Sequence, residues 1–304
     1  MRSFRRLAAL SALAALAALT GLAATGPVSA ADGASGAFTA LTYNIAGLPE
    51  GLSSAPTPRA PATTAIGERL GPYDLINVQE DFNYHAYLYA ADRHPYRTPT
   101  SGGAGFGSGL NTLSNAPYDG LQRVKWNRCF IVEADCLTPK GFTFARIHLA
   151  AGADLDLYNL HADAGDTAGD RAARNSNFAQ LTDFIRAHSA GRAVLVMGDT
   201  NTRYTTSGEP IAAFAADNGL TDAWVRLVRG GTAPQPGTPA LTCDEQAPTT
   251  SCEVVDKVLY RDGGGVKLTA TSYANDHARF LDDGGAMLSD HDPISVRFGW
   301  TAVG

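Results

Sequence analysis

The sequence Leu288-Ser289-Asp290-His291-Asp292-Pro293-Ile294 places a carboxylate and a histidine immediately before an apolar segment, residues 294–298 (ISVRF). The alternation of β-branched and aromatic residues with polar ones in that segment predicts a β-strand. A histidine that follows a carboxylate at the start of a strand suits a base that activates water beside a bound cation. Polar residues adjoin apolar runs in the same way upstream, and this recurrence indicates both the fold and a functional site.

Four upstream clusters of polar residues each stand at the end of an apolar run. In chain order they are Tyr43-Asn44, Val78-Gln79-Glu80, Leu160-His161-Ala162-Asp163 and Gly198-Asp199-Thr200-Asn201. Each cluster taken alone fits an ordinary structural role, such as an Asx-turn at Asp199 or a hydrogen-bonded core histidine at His161. If the strand ends meet, they gather carboxylates, carboxamides and histidines in one pocket. Oxygen ligands of this kind suit a hard divalent cation such as magnesium.

The secondary-structure pattern predicts many strands and few helices. β-Branched and aromatic runs predict strands at residues 38–43, 74–78, 142–149, 155–160, 193–197, 254–260, 266–273 and 293–298. Apolar residues on one face, with Gly191 as the stop signal, predict a helix over 168–188, and weaker patterns occur at 60–70 and 209–218. Such a mixture predicts an α/β or α+β sandwich.

The N-terminus has the pattern of a secretory signal peptide. Arg2, Arg5 and Arg6 precede an Ala/Leu-rich stretch, and Val28-Ser29-Ala30 supplies the small residues that a signal peptidase accepts. A membrane anchor is the alternative, but the cleavage-like site and the lack of a second apolar segment disfavour it. We therefore predict a signal peptide over 1–30, a flexible N-terminus over 31–37, a catalytic domain over 38–304, and a secreted, extracellular protein without a transmembrane anchor.

The net charge limits the class of partner. Removal of residues 1–30 leaves 21 basic and 30 acidic residues, a net charge of −9. An acidic chain gains nothing from long-range steering toward polyanions. This argues against a broad nucleic-acid-binding surface, although it leaves room for a local phosphate site that contains metal.

The four cysteines fall into two close pairs, Cys129/Cys136 and Cys243/Cys252. In an exported protein two short-loop disulfides are the natural interpretation. Three pairings are possible, and we favour the local one. A zinc site is the alternative, but neither pair has CxxC spacing or a nearby pair of histidines.

In their order along the chain these motifs resemble the endonuclease/exonuclease/phosphatase superfamily, which includes DNase-like nucleases and neutral sphingomyelinases. The motifs are Leu41-Thr42-Tyr43-Asn44, Val78-Gln79-Glu80, Leu160-His161-Ala162-Asp163, Gly198-Asp199-Thr200-Asn201, Val255-Asp256-Lys257-Val258 and Ser289-Asp290-His291. The resemblance covers residues 38–300. It implies a four-layer α/β sandwich, in which two packed mixed β-sheets are flanked by helices and the site lies at one rim.

The resemblance also implies a metal site and a phosphate site. Glu80 would be the principal metal carboxylate, with Asn44 close to it and Asp290 completing that side. Asn44, His161 and Asn201 would contact the phosphate. The expected cofactor is Mg²⁺, with Mn²⁺ or Ca²⁺ as other possible cations.

The remaining catalytic roles carry over in the same way. His291 would be the general base that takes a proton from the attacking water, and Asp256 would orient its ring. Asp199 and Asn201 would position the nucleophile and the phosphate, while His161 would donate a hydrogen bond to a phosphate oxygen. These roles suit an anionic phosphodiester, because its negative charge must be neutralised before water can attack.

Two segments resemble the branch of secreted bacterial neutral sphingomyelinases, which act as phospholipases C. They are residues 129–147 (CFIVEADCLTPKGFTFARI) and 170–184 (DRAARNSNFAQLTDF). Two features depart from that branch. Asp292 stands where these enzymes tend to have an aromatic residue, and residues 261–286 lack a tryptophan cluster that would enter a bilayer interface. Membrane docking is therefore not indicated by the sequence.

We thus predict a secreted, magnesium-dependent phosphodiesterase of the sphingomyelinase-like phospholipase C type, acting as a monomer on a phospholipid or another phosphodiester. A second hypothesis is an extracellular DNase-like nuclease, for which nucleic acid would be the substrate and rim cations would be needed; the candidates are Arg59, Arg171, Arg174 and Arg203. An inositol- or sugar-phosphate phosphatase is a third hypothesis, and a catalytically silent binding protein is a fourth.

Overall fold

A computed structural model describes residues 33–102, 106–130, 136–244 and 246–303. Its strands are β1 (Ser35–Asn44), β2 (Leu75–Gln79), β3 (Tyr96–Arg97), β4 (Asn111–Ser114), β5 (Tyr118–Lys125), β6 (Gly141–Ala150), β7 (Ala153–His161), β8 (Val194–Asp199), β9 (Thr221–Asp222), β10 (Asp256–Arg261), β11 (Val266–Asn275) and β12 (Ile294–Ala302). Its helices are α1 (Arg59–Arg69), α2 (His85–Ala91), α3 (Ala168–His188), α4 (Ile211–Asp217) and α5 (Ala223–Leu227), and a short 3-10 helix covers His277–Arg279. The predicted signal peptide lies outside the described residues.

The strands form two mixed six-stranded sheets. Sheet 1 has the order β11-β12-β1-β2-β4-β3, and sheet 2 has the order β5-β6-β7-β8-β10-β9. Each sheet contains one parallel pair, β1/β2 in sheet 1 and β7/β8 in sheet 2. Parallel neighbours need a long crossover connection, and α1 and α3 lie within these two connections. Each sheet therefore has a β-α-β unit near its centre.

The sheets pack face to face, with helices on their outer faces. In β1 the side chains alternate, so that Phe38 and Ala40 face the core between the sheets while Leu41 and Tyr43 face the helices. Ile66 of α1 packs on that outer face. On sheet 2 the residues of α3 that cover the outer face are Phe178, Leu181 and Ile185. This arrangement confirms the predicted four-layer sandwich.

The strand register sets the position of the polar clusters. Asn44 at the end of β1 pairs with Gln79 at the end of β2. In sheet 2, His161 at the end of β7 pairs with Asp199 at the end of β8, and Asp256 at the start of β10 pairs with Asp199 from the other side. Because the carboxyl ends of parallel strands lie at one edge, each sheet presents its polar residues at a single rim.

Buried polar side chains join the two sheets beneath that rim. Gln79 Nε2 in sheet 1 donates to Asn159 Oδ1 in sheet 2 at 2.8 Å, and Asn159 Nδ2 donates back to the carbonyl of Val78 at 3.0 Å. Asn77 Nδ2 donates to the carbonyl of Tyr158 at 3.0 Å. Unpaired polar groups would be costly in this interior, so these reciprocal bonds fix how the rims of the two sheets face each other.

The eight predicted strands and the three predicted helices are confirmed, with ends shifted by a few residues. The strands β3, β4, β5 and β9 were not predicted. β3 and β9 have two residues each, and β5 is an edge strand of mostly polar, partly exposed residues. Strands that are this short, or that lack an alternation of apolar and polar residues, give no signal in the sequence.

The prediction of a flexible start was wrong for residues 35–37. Ser35, Gly36 and Ala37 pair with β12 in the register Ser35↔Thr301 to Ala37↔Gly299. Their small side chains carry no strand signal, whereas their backbone groups complete the ladder. The indole of Trp300 lies over Gly36, where an added Cβ would come within 2.8 Å of Nε1.

Both predicted disulfides are confirmed. Cys129 is bonded to Cys136 and Cys243 to Cys252, with Cα–Cα distances of 5.5 and 5.6 Å. Among the described residues, no helix has the length and apolar character that a membrane crossing requires.

Candidate active site

The five predicted polar clusters come together where the rims of the two sheets meet. Sheet 1 contributes Asn44 and the residue after β2, Glu80. Sheet 2 contributes His161, Asp199 and Asp256 from adjacent strands. The remaining members are Asn201, which follows β8, and the pair Asp290 and His291, which precedes β12.

Asp199 lies at the centre of this cluster. Its Oδ2 lies 3.2 Å from Asn44 Nδ2, 3.3 Å from His161 Nε2 and 3.7 Å from His291 Nε2. Burial by itself would raise the pKa of this carboxyl, but the positive charges of His291 and Lys140 and the hydrogen bond from Asn201 N outweigh burial and lower it. Asp199 is therefore an anion that several donors of the rim share.

His291 and Asp256 form a hydrogen-bonded pair. His291 Nδ1 lies 2.8 Å from Asp256 Oδ2, so that Nε2 is the ring nitrogen that points toward Asp199. Burial opposes the charged imidazole, but the carboxylates of Asp256 and Asp199 outweigh it and hold the pKa of His291 well above its usual range. Burial also raises the pKa of Asp256 to about 6, against the effect of His291. Such a pair fixes the orientation of the ring and strengthens Nε2 as a base.

We expect Asp256→Asn to move the acid limb of the pH–activity profile to lower pH. The asparagine keeps an acceptor for Nδ1 but removes the negative charge that raises the pKa of His291. His291 then loses its proton, and becomes able to accept one, at a lower pH than in the wild type. The measurement is kcat/KM against pH for both proteins at one Mg²⁺ concentration. An unchanged acid limb would show that Asp256 does not control the protonation of His291.

His161 is a buried, neutral histidine. Burial is the main cause that lowers its pKa to about 3, and the positive charge of Lys140 adds to the effect. Its Nε2 lies 3.3 Å from Asp199 Oδ2 and 4.0 Å from Glu80 Oε1, whereas Nδ1 is buried without a hydrogen-bond partner. A neutral ring with its proton on Nε2 can donate toward the centre of the rim.

Glu80 is held in an unusual backbone conformation. Among the described non-glycine residues, positive φ occurs at Ala46 (49°), Glu80 (57°) and Asn201 (49°), all of which lie at this rim. Such conformations cost about 1–3 kcal/mol each and concentrate at functional sites. Gly47 N donates to the Glu80 carbonyl at 3.0 Å, and a Cβ on Gly47 would come within 2.1 Å of that oxygen. Glycine is thus required for this close approach.

The side chain of Glu80 suits a cation. It is 20% exposed, and its Oε1 accepts from Asn44 Nδ2 at 3.2 Å. Burial raises its pKa, and the nearby carboxylate of Asp290 acts in the same direction. The negative charges of two neighbouring carboxylates repel each other. A hard divalent cation relieves this repulsion, because it binds carboxylate oxygens. The amide of Asn44 presents Nδ2 to Glu80, while its Oδ1 accepts from Ala46 N at 3.0 Å.

A second group of possible metal ligands lies beside the first. Among the described residues, one donor atom from each of Asp199, Asp256 and His291 lies within 4.8 Å of the others. The short bond between His291 and Asp256 already occupies their facing atoms. This geometry favours a role for the group as a base, and the cation ligands Glu80, Asn44 and Asp290 stay a prediction.

Asn201 and Asp290 border a cavity of about 380 Å³ that opens beside His291. Asn201 N donates to Asp199 Oδ1 at 3.0 Å, and its Nδ2 donates to the Ala162 carbonyl at 3.2 Å. Asp290 is exposed, and its Oδ1 accepts from Ser289 Oγ at 3.4 Å. All the predicted site residues are thus found at one rim.

Two contributors to the site were not predicted. Lys140, which lies within the segment 129–147 but was given no role from the sequence, places its charge near His161, Asp199 and Glu80. Ser289 Oγ donates to the Asn44 carbonyl at 2.6 Å and thereby joins the segment before β12 to β1. The Ser-Asp-His motif contained Ser289, but no local pattern indicated its partner 245 residues away.

Arg59 and Arg174 are fully buried and are not rim cations. The guanidinium of Arg59 donates to the carbonyls of Ile45 and Leu288, and that of Arg174 binds both carboxylate oxygens of Glu209. In both residues most N–H donors of the guanidinium have a hydrogen-bond acceptor, so these side chains stabilise the surrounding loops. Of the four candidates, Arg203 lines the cavity beside His291.

Asp292, which replaces the expected aromatic residue, accepts hydrogen bonds in the turn before β12. It accepts from Asn275 Nδ2 at 2.9 Å, and its Oδ1 lies 2.8 Å from His277 Nδ1. These contacts connect the segment that carries His291 to the end of β11.

Comparison with known proteins agrees with this geometry. The sequence profile of Endonuclease/Exonuclease/phosphatase family 2 matches residues 62–297. Sphingomyelinases of Mycobacterium bovis and Mycobacterium tuberculosis are 43% identical over 272 residues, which are 87% of this chain and 53% of each relative. The chain thus spans about half the length of these curated relatives.

Solved structures share the fold. Sphingomyelinase C from Streptomyces griseocarneus matches with a TM-score of 0.60 and 21% identity, over 86% of this chain and 99% of that one. A magnesium-bound beta toxin from Staphylococcus aureus matches at 0.60 and 15%, over 85% and 98%. D. rerio TDP2 in complex with a single-strand DNA product matches at 0.63 and 17%, over 86% and 98%. The fold is common to all three, and the profile covers most of the chain, which therefore belongs to Endonuclease/Exonuclease/phosphatase family 2.

Proposed function

We propose that this chain is a magnesium-dependent phosphodiesterase of the sphingomyelinase-like phospholipase C type. The observation that carries the proposal is the hydrogen-bonded pair His291–Asp256, which shares the carboxylate of Asp199 with Asn44. A base that lies close to candidate ligands for a hard cation suits the attack of water on a phosphodiester.

The cation would be held by the carboxylates of Glu80 and Asp290, with the amide of Asn44 beside Glu80. When bound, Mg²⁺ would neutralise charge on the phosphate and so stabilise the transition state. The raised pKa of Glu80, due mainly to burial, supports this assignment because a cation would relieve the cost of that buried charge. The magnesium in the beta toxin structure of the same fold agrees with the choice of ion.

The side chains of this chain would carry the proton and position the phosphate. Nε2 of His291 would take the proton from the attacking water, while Asp256 holds the opposite nitrogen. His161, kept neutral by its lowered pKa, would donate from Nε2 to a phosphate oxygen. Asp199 and Asn201 would orient the water and the phosphate between these groups.

A phospholipid substrate agrees with the charges around the rim. The cavity beside His291 is lined by the carboxylates of Asp166, Asp244, Asp290 and Asp292, with Arg203 as a cation among them. A polyanion such as DNA would be repelled by such a lining, because phosphate contacts by Lys and Arg dominate nucleic-acid affinity. The burial of Arg59 and Arg174 removes two more cations. The mycobacterial sphingomyelinases support the same substrate class.

Secretion forms part of the proposal. Two disulfides are typical of oxidising compartments, and both are formed here. Residues 1–30 have the pattern of a signal peptide. We expect the mature protein to act outside the cell as a monomer.

The experiment is an assay of purified mature protein with Mg²⁺ on sphingomyelin vesicles and, separately, on duplex DNA, each with and without EDTA. We expect release of phosphocholine that EDTA abolishes, with DNA left intact. Cleavage of DNA with intact vesicles would contradict the lipid assignment and make the protein a nuclease. Hydrolysis of an inositol or sugar monophosphate alone would make it a phosphatase.

A further inference from the structure

The cavity beside the catalytic pair has a wall made by the Cys243–Cys252 disulfide loop. On one side it is lined by Asp256 and His291. On the other side it is lined by residues of the loop, namely Thr242, Cys243, Asp244, Pro248 and Cys252. Both sulfur-bearing residues of this disulfide thus face the same 380 Å³ space as the base.

The two ends of this disulfide differ in how firmly they are held. Cys252 is 4% exposed and is followed by Glu253, whose buried carboxylate accepts from Thr205 Oγ1 at 3.0 Å. Lys257 Nζ lies 3.4 Å from the same carboxylate. Cys243, in contrast, is exposed. The disulfide therefore attaches an exposed segment to a rigid, buried one.

Among the residues of the loop that the structure describes, few other contacts hold its outer part. Trp224 Nε1 donates to the Thr250 carbonyl at 2.9 Å near the buried end. At Asp244 the bonds are internal to the loop, from Gln246 N to Oδ1 at 3.0 Å and from Ala247 N to the carbonyl at 3.1 Å. The backbone bond from Glu253 N to the Leu241 carbonyl at 2.8 Å holds the segment before Cys243, and the covalent bond is the described restraint that lies nearest to Asp244.

The catalytic pair does not depend on this disulfide for its position. Asp256 begins β10 and pairs there with Asp199 of β8, and Thr200 N donates to the Val255 carbonyl at 3.1 Å. Loss of the disulfide would release the wall while the sheet keeps the base in place.

We propose that the Cys243–Cys252 loop is the specificity wall of the substrate site, and that its disulfide preorganises the loop to bind the group attached to the phosphate. The proposal rests on the proposed phosphodiesterase function. A preorganised loop adds affinity because its ordering is completed before the ligand binds. The lining carboxylates favour a positively charged group over a second phosphate.

The test compares the affinities of phosphocholine and inorganic phosphate by calorimetry in Mg²⁺. We expect wild type to bind phosphocholine more tightly than phosphate. In Cys243→Ser/Cys252→Ser the phosphocholine affinity should fall about tenfold, while the phosphate affinity changes less than about twofold. Cys129→Ser/Cys136→Ser is the matched control, because it removes a disulfide of similar span outside this cavity and should keep the preference.

The proposal would be overturned if Cys243→Ser/Cys252→Ser kept the wild-type preference for phosphocholine over phosphate, or if its affinity for both ligands fell equally. It would also be overturned if the wild type showed no such preference. If that variant does not fold, Asp244→Asn decides. Asparagine keeps the oxygen that accepts from Gln246 N but removes the negative charge of Asp244. We expect the preference for phosphocholine over phosphate to fall by about two- to fivefold. An unchanged preference would contradict the role of the loop in specificity. Sphingomyelin turnover by wild type is scored separately, so that a protein that shows the preference but no lipid turnover refutes only the proposed function.

Discussion

We expect His291→Ala to lower kcat by about two to four orders of magnitude while the fold remains intact. His161, the other histidine beside Asp199, could not replace His291, because burial lowers its pKa to about 3 and makes it a weak proton acceptor. Loss of the ring leaves the attacking water without an acceptor for its proton. The measurement is steady-state kcat on a soluble phosphodiester, together with thermal unfolding to check the fold.

His188→Ala is the matched control for this substitution. His188 is exposed at the end of α3, where its ring stacks on Phe184 with centroids 3.7 Å apart. We expect kcat within about twofold of wild type, since an exposed side chain away from the rim seldom changes the site. If His291→Ala retained normal kcat, the assignment of the base would be wrong.

We expect Glu80→Gln to abolish both activity and the stabilisation of the protein by Mg²⁺. Loss of the main carboxylate removes charge stabilisation of several kcal/mol, so that kcat/KM falls by roughly 10³-fold. Wild type should gain about 2.7 kcal/mol at a Mg²⁺ concentration of roughly 100 Kd, which corresponds to about 5–10 °C in Tm for a chain of this size. The measurement is the increase in Tm on adding Mg²⁺, which reports binding of the cation independently of turnover.

Without Mg²⁺ we expect Glu80→Gln to have the opposite effect on the stability of the folded state. Burial raises the pKa of Glu80, so its charge destabilises the folded state at neutral pH and this cost disappears as the carboxyl is protonated in acid. Glutamine removes the charge, and we expect metal-free Glu80→Gln to be at least as stable as wild type. Glu68→Gln, at an exposed position of α1, should keep the full gain from Mg²⁺. A full gain in Glu80→Gln as well would exclude Glu80 as the main ligand.

Much of the fold could be predicted from local pattern. The strand that ends at Asp199 is a short, continuous apolar run, and the helix with Phe178, Leu181 and Ile185 on one face has the helical period. The predicted positions of both were close to those observed. The short or polar strands β3, β4, β5 and β9 could not be predicted in this way. Their backbone groups pair with neighbours that are distant in sequence, and their own side chains carry no periodic signal.

The residue types at the site, and the strand ends that carry them, could be predicted from local sequence, because each polar cluster directly follows or precedes its own apolar run. The sequence also indicated the cysteine pairs, because close spacing favours short loops. The distances among the site residues were not accessible, since Asn44 and Asp199 are 155 residues apart and meet only when the two sheets pack.

Which charged residues remain available at the rim depends on tertiary packing. Arg59 and Arg174 look alike in sequence to Arg203, yet packing buries the first two beneath loops and leaves Arg203 at the cavity. The same holds for the Cys243–Cys252 loop, whose sequence indicates a disulfide but not the base that it faces. Burial and long-range contact depend on how the sheets and their loops assemble, and local sequence does not contain that information.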